Sequence, residues 1–269
     1  MQVLMFSKML REYDLNKMGD IAARMGFDGV DLTVREGGHI LPEKVKNDLP
    51  YAIDILKSKG LSVPMLTTSI TNAKEPYAED IYKTAESCGV KFLKLGYWKY
   101  EGFGKIKKQI KKAKEELKGI ESLSQKYKIC SAIHIHSGDF LSANAAIVYL
   151  LLKDFNPKLI GAYIDPAHMV VEGGKSGWKM GMDLISDYIC LVAVKDFNWF
   201  HKGGKNWDIA WGPFQEGMVP WDEVFTYLKR IGFDGYLSIH SEYNWKDLTI
   251  KERLHQTDQD LAYIRQFIK

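Results

Sequence analysis

Eight short apolar or β-branched runs recur along the chain, each separated from the next by a longer stretch with the spacing of an amphipathic helix. The runs are Val3–Ser7, Gly29–Thr33, Ser62–Thr67, Phe92–Gly96, Ile129–His136, Leu159–Asp165, Ile189–Lys195 and Tyr236–Ser241. The helical patterns between them include Leu15–Met25, Leu49–Lys59, Ala78–Cys88, Lys105–Tyr127, Ala143–Asp154, Met180–Asp187 and Trp221–Ile231. Strands joined through helices pair in parallel, so this alternation predicts an α/β chain. Eight units in 269 residues match one (β/α)8 barrel, and no Pro/Ser-rich linker divides residues 1–269 into separate domains. Gly26, Gly60, Gly89 and Gly232 stand between helix and strand, where a left-handed residue closes a helix. GFDGVDL at Gly26 and GFDGYLS at Gly232 are near copies, which predicts similar turns into the second and eighth strands.

With 46% hydrophobic residues the chain can bury a large core, and a net charge of +3 implies no polyanionic partner. The basic run Lys105–Lys118 places Ile106, Ile110, Ala113 and Leu117 on one helical stripe, which predicts a solvated outer helix and not a nucleic-acid surface. Cys88, Cys130 and Cys190 are widely spaced and odd in number, so they read as small buried hydrophobes. No signal-type segment begins MQVLMFSKML, and no apolar run is long enough to span a bilayer, so a cytoplasmic protein without membrane contact is expected.

Three strand ends finish in chemistry-bearing residues where turn residues would be ordinary: SAIHIHSG at Ser131–Gly138, YIDPAH at Tyr163–His168 and YLSIHSEY at Tyr236–Tyr243. In a parallel barrel those ends form the mouth where reactions occur. Side chains alternate along a strand, so His134 shares a face with His136, Tyr163 with Asp165, Ala193 with Lys195, and Ser238 with His240 and Glu242. Imidazole and carboxylate together suit a divalent ion of the Zn, Mn, Co or Ni type better than Ca or Mg, with His134, Asp165 and His240 as the expected ligands. His136, His168 and Glu242 are further catalytic candidates, as proton carriers or as reserve ligands.

Lys195, in LVAVKDF, is a candidate to steady a developing enolate oxygen, or to form a Schiff base with a carbonyl substrate. The connection Asp196–Pro220 carries Trp199, Phe200, Trp207 and Trp211; it reads as a loop whose indoles, Trp199 and Trp207 among them, stack on a sugar or meet another copy in a homo-oligomer. After the second strand, TVREGGHILPE places Arg35 and His39 beside two glycines, and Arg35 could clamp a carboxylate, phosphate or hydroxyl pair.

With GFDGVDL, YIDPAH, VKDF, GMVPW and GFDGYLSI in hand, nearly the whole chain resembles the xylose isomerase-like TIM-barrel superfamily of sugar isomerases, epimerases, inosose dehydratases and endonuclease IV-type enzymes. The resemblance implies a divalent metal held by a Glu on strand five, an Asp on strand six, a His on strand seven and a Glu on strand eight. Only Asp165 matches; the other three positions carry His134, Ala193 and His240. The family's two acid–base glutamates are therefore absent, and histidine is the group that could move the proton instead. The expectation is a metal-assisted isomerase or epimerase of a sugar or keto-sugar acting through an enediolate. Its rivals are a dehydratase or lyase on a keto-sugar and a non-catalytic sugar-binding barrel.

Overall fold

The computed structural model describes residues 1–268. Eight parallel strands close into a barrel: β1 (Gln2–Phe6), β2 (Gly29–Thr33), β3 (Ser62–Thr67), β4 (Phe92–Lys94), β5 (Cys130–His134), β6 (Ile160–Ile164), β7 (Ile189–Val194) and, after a hairpin, β10 (Tyr236–Ile239). Closure is direct, since β1 pairs with β2 on one side and with β10 on the other, Met5 lying opposite Ile239. The expected (β/α)8 architecture is therefore present.

Two apolar layers hold it. Inward-facing Leu4, Met65, Ala132, Tyr163, Leu191 and Ala193 fill the barrel, as the predicted alternation requires. Outward-facing residues such as Val3, Val30, Leu66, Ile133, Ile164 and Val192 pack under the helices. Helices α1 (Leu15–Met25), α2 (Val45–Ser58), α3 (Ala78–Ser87), α4 (Ile106–Tyr127) and α5 (Ala145–Leu152) follow the first five strands. Asp14 caps α1 by accepting from the Lys17 amide, and Gly26 ends it at φ 83°, a conformation that costs a β-carbon-bearing residue energy. Gly232 adopts φ 71° in the same role, which explains the echoed GFDG. The lysine-rich helix α4 buries Ala113, Leu117 and Ile120 and turns its charges outward.

Three elements differ from the sequence expectation. Helix α6 (Pro166–Leu184) starts immediately after Asp165, not at Met180. Asp165 is its N-cap and Pro166 occupies the first turn, where a missing N–H costs nothing; Gly174, at φ 55° and ψ −145°, interrupts the helix and hid its continuity. The tract expected to be a loop is an antiparallel hairpin, β8 (Asp196–Gly203) with β9 (Asn206–Gly212), in which Phe197 faces Trp211. A helix not anticipated from the sequence, α8 (Ile250–Ile268), follows β10 and buries Leu261 and Ile264, while α7 (Trp221–Arg230) precedes that strand.

The hairpin is anchored at its base. The buried Asp196 carboxylate accepts from the Phe197 amide at 2.8 Å, the Val219 amide at 3.0 Å and the Trp221 indole at 2.8 Å, joining β8 to the start of α7. The chain passes so close that a Cβ on Gly217 would lie 2.0 Å from that carboxylate. Asp196→Ala would strand three donors, so a loss of about 3 kcal/mol or more is expected in chemical denaturation. Trp207→Ala, at a position 62% exposed near the hairpin turn, should stay within about 0.5 kcal/mol of the parent.

Candidate active site

Asp165 lies at the centre of a buried polar cluster at the C-terminal mouth of the barrel. Its Oδ1 accepts from the His168 amide at 3.1 Å. Its Oδ2 faces three nitrogens: His134 Nε2 at 3.5 Å, His168 Nε2 at 3.7 Å and Lys195 Nζ at 3.6 Å. Both imidazoles are aimed by hydrogen bonds at their far nitrogens, His134 Nδ1 with the Tyr97 hydroxyl at 2.8 Å and His168 Nδ1 with the Ser137 hydroxyl at 2.6 Å. His134 also stacks on Tyr163, with ring centroids 4.4 Å apart.

Lys195, directly after β7, contacts Glu242 Oε2 at 3.3 Å as well, and its ammonium lies 4.2 Å from the Trp211 ring centroid. Glu242 also pairs with Lys8, from the end of β1. His240, after β10, stacks on Phe6 and meets the Tyr163 hydroxyl through Nε2 at 3.0 Å. Asp31 on β2 accepts from Thr67 at 2.7 Å and from Ser238 at 2.9 Å. His134, Tyr163, Lys195, His240 and Glu242, together with Arg35, Lys94, Tyr97 and His136, line a small polar pocket of about 100 Å³, behind which Asp165, His168 and Asp31 are buried. A larger cleft of about 590 Å³ between α6 and α7, lined by Lys179, Met180, Asp183, Tyr227, Arg230 and Ile231, reaches the barrel at Ile189, the start of β7, away from the C-terminal strand ends.

Burial dominates the electrostatics. It drives His134, His168 and His240 well below the ordinary imidazole range and lowers His136 less, so these rings are neutral at pH 7. Burial raises Asp165 against the opposing pull of Lys195, and pushes Asp31 up to about 6. Glu242 behaves oppositely: burial would raise it, but Lys195, His240 and Lys8 together hold it well below the usual carboxylate range.

The expected site residues divide by position. His134, Asp165, His168, Lys195 and Glu242 form one contact network, with His136 beside it: its ring centroid lies 3.9 Å from that of His168. His240 is at the same mouth, but its Nε2 points at Tyr163 and lies 3.9 Å from Asp31. Arg35 lines the pocket. His39 sits behind Thr33, 3.4 Å from its hydroxyl, and Trp199 and Trp207 stand exposed on the hairpin; Trp211 is the indole that reaches the cluster. Asp31, Lys94 and Tyr97 were not anticipated from the sequence, and Tyr163 was placed on the face of Asp165 without a role. Lys94 carried the same signal as Lys195, a lysine at the end of an apolar strand, in FLKLG.

The donor atoms as arranged do not fit a divalent ion. No group of three or more His, Cys, Asp and Glu side chains among the described residues is set to hold one. Asp165 Oδ2 faces an ammonium, and His240 Nε2 is engaged by Tyr163.

The family model of the xylose isomerase-like TIM barrel matches residues 20–267, so the chain belongs to that family. Among solved structures, D-psicose 3-epimerase from Clostridium cellulolyticum H10 superposes with a TM-score of 0.76 at 14% identity, covering 100% of both chains. The 3-keto-D-glucoside 4-epimerase YcjR from E. coli gives 0.75 at 14% identity over 99% of each chain. The probable 3-DHS dehydratase AsbF from Bacillus anthracis gives 0.71 at 12% identity, over 97% of this chain and 99% of that one. No curated protein matches by sequence. No helix among the described residues is long and apolar enough to cross a membrane.

Lys195 is the common partner of Asp165 and Glu242, so Lys195→Met would leave a fully buried carboxylate without its cation. A loss of about 3 kcal/mol is expected on denaturation. Tyr97→Phe should instead cost about 1 kcal/mol and shift the His134 tautomer, readable from its ring nitrogen resonances.

Proposed function

We propose that this protein is an isomerase or epimerase of a sugar or keto-sugar that works by proton transfer through an enediolate. The observation that carries the reading is the meeting of neutral imidazoles with the Lys195 ammonium at one polar pocket. Proton abstraction next to a carbonyl needs a base that is unprotonated at working pH and a cation at the oxygen where charge develops. His136, less deeply buried than His134, is the proposed base. It takes the α-proton, the C–H electron pair forms the C=C bond, and the carbonyl oxygen becomes an enediolate oxygen facing Lys195. Returning the proton to the adjacent carbon, as the hydroxyl proton passes from one enediolate oxygen to the other, isomerises the sugar; delivery to the opposite face of the same carbon from His240, the second imidazole lining the pocket, epimerises it, and exchange with solvent returns both imidazoles to their starting state. Glu242 and Asp165 hold Lys195 in place, and His168 lies against the same Asp165 oxygen.

The similarity to two epimerases supports this reading at the level of the fold. Loss of a β-hydroxyl from the same intermediate would make the protein a dehydratase, a reading that the likeness to AsbF supports. A metal-assisted version would have to use the buried His134 Nε2, His168 Nε2 and Asp165 Oδ2, which have no hydrogen-bond partner but are not arranged to hold an ion. It requires Lys195 to leave Asp165, after which His134, Asp165 and His240 or His168 would supply the ligands.

The test is solvent exchange: ketoses and keto-glycosides incubated with the protein in D2O and followed by NMR. Deuterium at the carbon next to the carbonyl, reduced about 100-fold or more in His136→Asn, is expected. Ligand bound but unexchanged across the panel would overturn catalysis in favour of a binding barrel, and loss of water from the product would identify the dehydratase. Because burial lowers His136, the acid limb of kcat/KM should fall below pH 6.5, the ordinary imidazole value, with activity retained above it. Elemental analysis of untagged protein decides the metal question. Near-stoichiometric metal that disappears in Asp165→Ala would establish the metal-assisted version.

A further inference from the structure

Two basic side chains at the pocket make no ion pair. Lys94, at the end of β4, is 2% exposed, and its ammonium lies 3.6 Å above the Tyr97 ring and lines the cavity. Arg35, half-buried on the loop after β2, lines the same cavity. Among the described residues, neither side chain makes an ion pair or a hydrogen bond. The nearby carboxylates are already engaged: Asp165 faces Lys195, Glu242 bridges Lys195 and Lys8, and both oxygens of Asp31 accept hydroxyl hydrogens from Thr67 and Ser238. A buried cation is ordinarily paired, and two like charges side by side make each other worse. Burial is what most disfavours the charged form of Lys94; the Arg35 charge adds to it, and Asp31, whose oxygens are already taken up by Thr67 and Ser238, opposes it in part.

We propose that Arg35 and Lys94 form an anion subsite, so that the substrate of this pocket carries a carboxylate or phosphate. An oxyanion placed between them would give both a partner, with the planar guanidinium able to donate two parallel hydrogen bonds and the ammonium a third. The position suits the proton chemistry. In the strand order β4 and β2 are each three strands from β7, so the anion would be gripped across the barrel from Lys195. Its neighbouring carbons would then extend toward His136 and Lys195. The subsite adds a substrate class to the proposed proton-transfer function and rests on that reading for its orientation. It rests on geometry alone for its existence.

Binding is read without turnover, by isothermal titration calorimetry and thermal shift with inorganic phosphate and, separately, with glycolate as a minimal hydroxy-carboxylate. One anion should saturate the parent protein and raise its Tm. Affinity should fall at least tenfold in both Lys94→Met and Arg35→Met, and stay unchanged in Lys118→Met, which removes an equal charge from the exposed face of α4. Lys94→Met should itself fold with equal or higher Tm, since an unpaired buried charge is removed; Lys94→Gln provides a second folded variant. Tighter glycolate binding would identify a sugar acid, and tighter phosphate binding a phosphorylated sugar. Failure of both anions to bind, or equal binding by the Lys94 and Arg35 variants, overturns the subsite. Exchange of ketoses together with failure of both anions to bind would remove the subsite and leave the proton-transfer reading standing. Anion binding with no exchange of any substrate would do the reverse.

Discussion

A fully buried aspartate, Asp165, organises the mouth of this barrel. One of its oxygens starts helix α6 and the other faces Lys195, His134 and His168. A carboxylate in that environment is costly to keep ionised, and the Lys195 cation that offsets the cost is itself shared with Glu242. The order of the mouth thus depends on a charge balance and not on shape alone. Each imidazole is oriented from behind by a hydroxyl, which frees its other nitrogen to face the centre.

The same burial sets the chemistry. Removing imidazoles from water keeps them neutral and therefore able to accept protons, while Lys195 stays paired with two carboxylates. This division between neutral bases and a held cation differs from the glutamate-rich metal set that the family resemblance implies. Where that resemblance implies two glutamates, this chain has His134 and His240, which carry no negative charge. The barrel's packing depends on inward residues such as Leu4, Met65, Ala132 and Leu191, none of which lines the polar pocket.

The hairpin β8–β9 and α8 show where local pattern ran out. Gly203 and Gly204 and the polar residues near the turn gave Asp196–Pro220 the look of a loop, yet its pairing follows from Trp211 facing Phe197 across the ladder and from Asp196 holding both ends. Helix α6 was shortened in the sequence reading because Gly173-Gly174 is ordinarily a helix stop, whereas packing of Trp178 and Met182 continues the helix beyond the kink. Among the site residues, strand alternation was enough to place His134, Asp165 and Lys195 together. It carried no information on Tyr97 or Ser137, whose roles depend on contacts across the sheet and between loops.

The sequence by itself determined the barrel, its strand positions and the side of each strand that faces inward, because those depend on hydrophobic period and on glycine at helix ends, both local properties. Tertiary structure decided which nitrogen meets which oxygen. Lys195 faces Asp165, His240 turns to Tyr163, and Arg35 and Lys94 are left unpaired. Those outcomes depend on distances of a few ångströms between strands far apart in the chain, and on how much water each group loses, neither of which a one-dimensional pattern encodes.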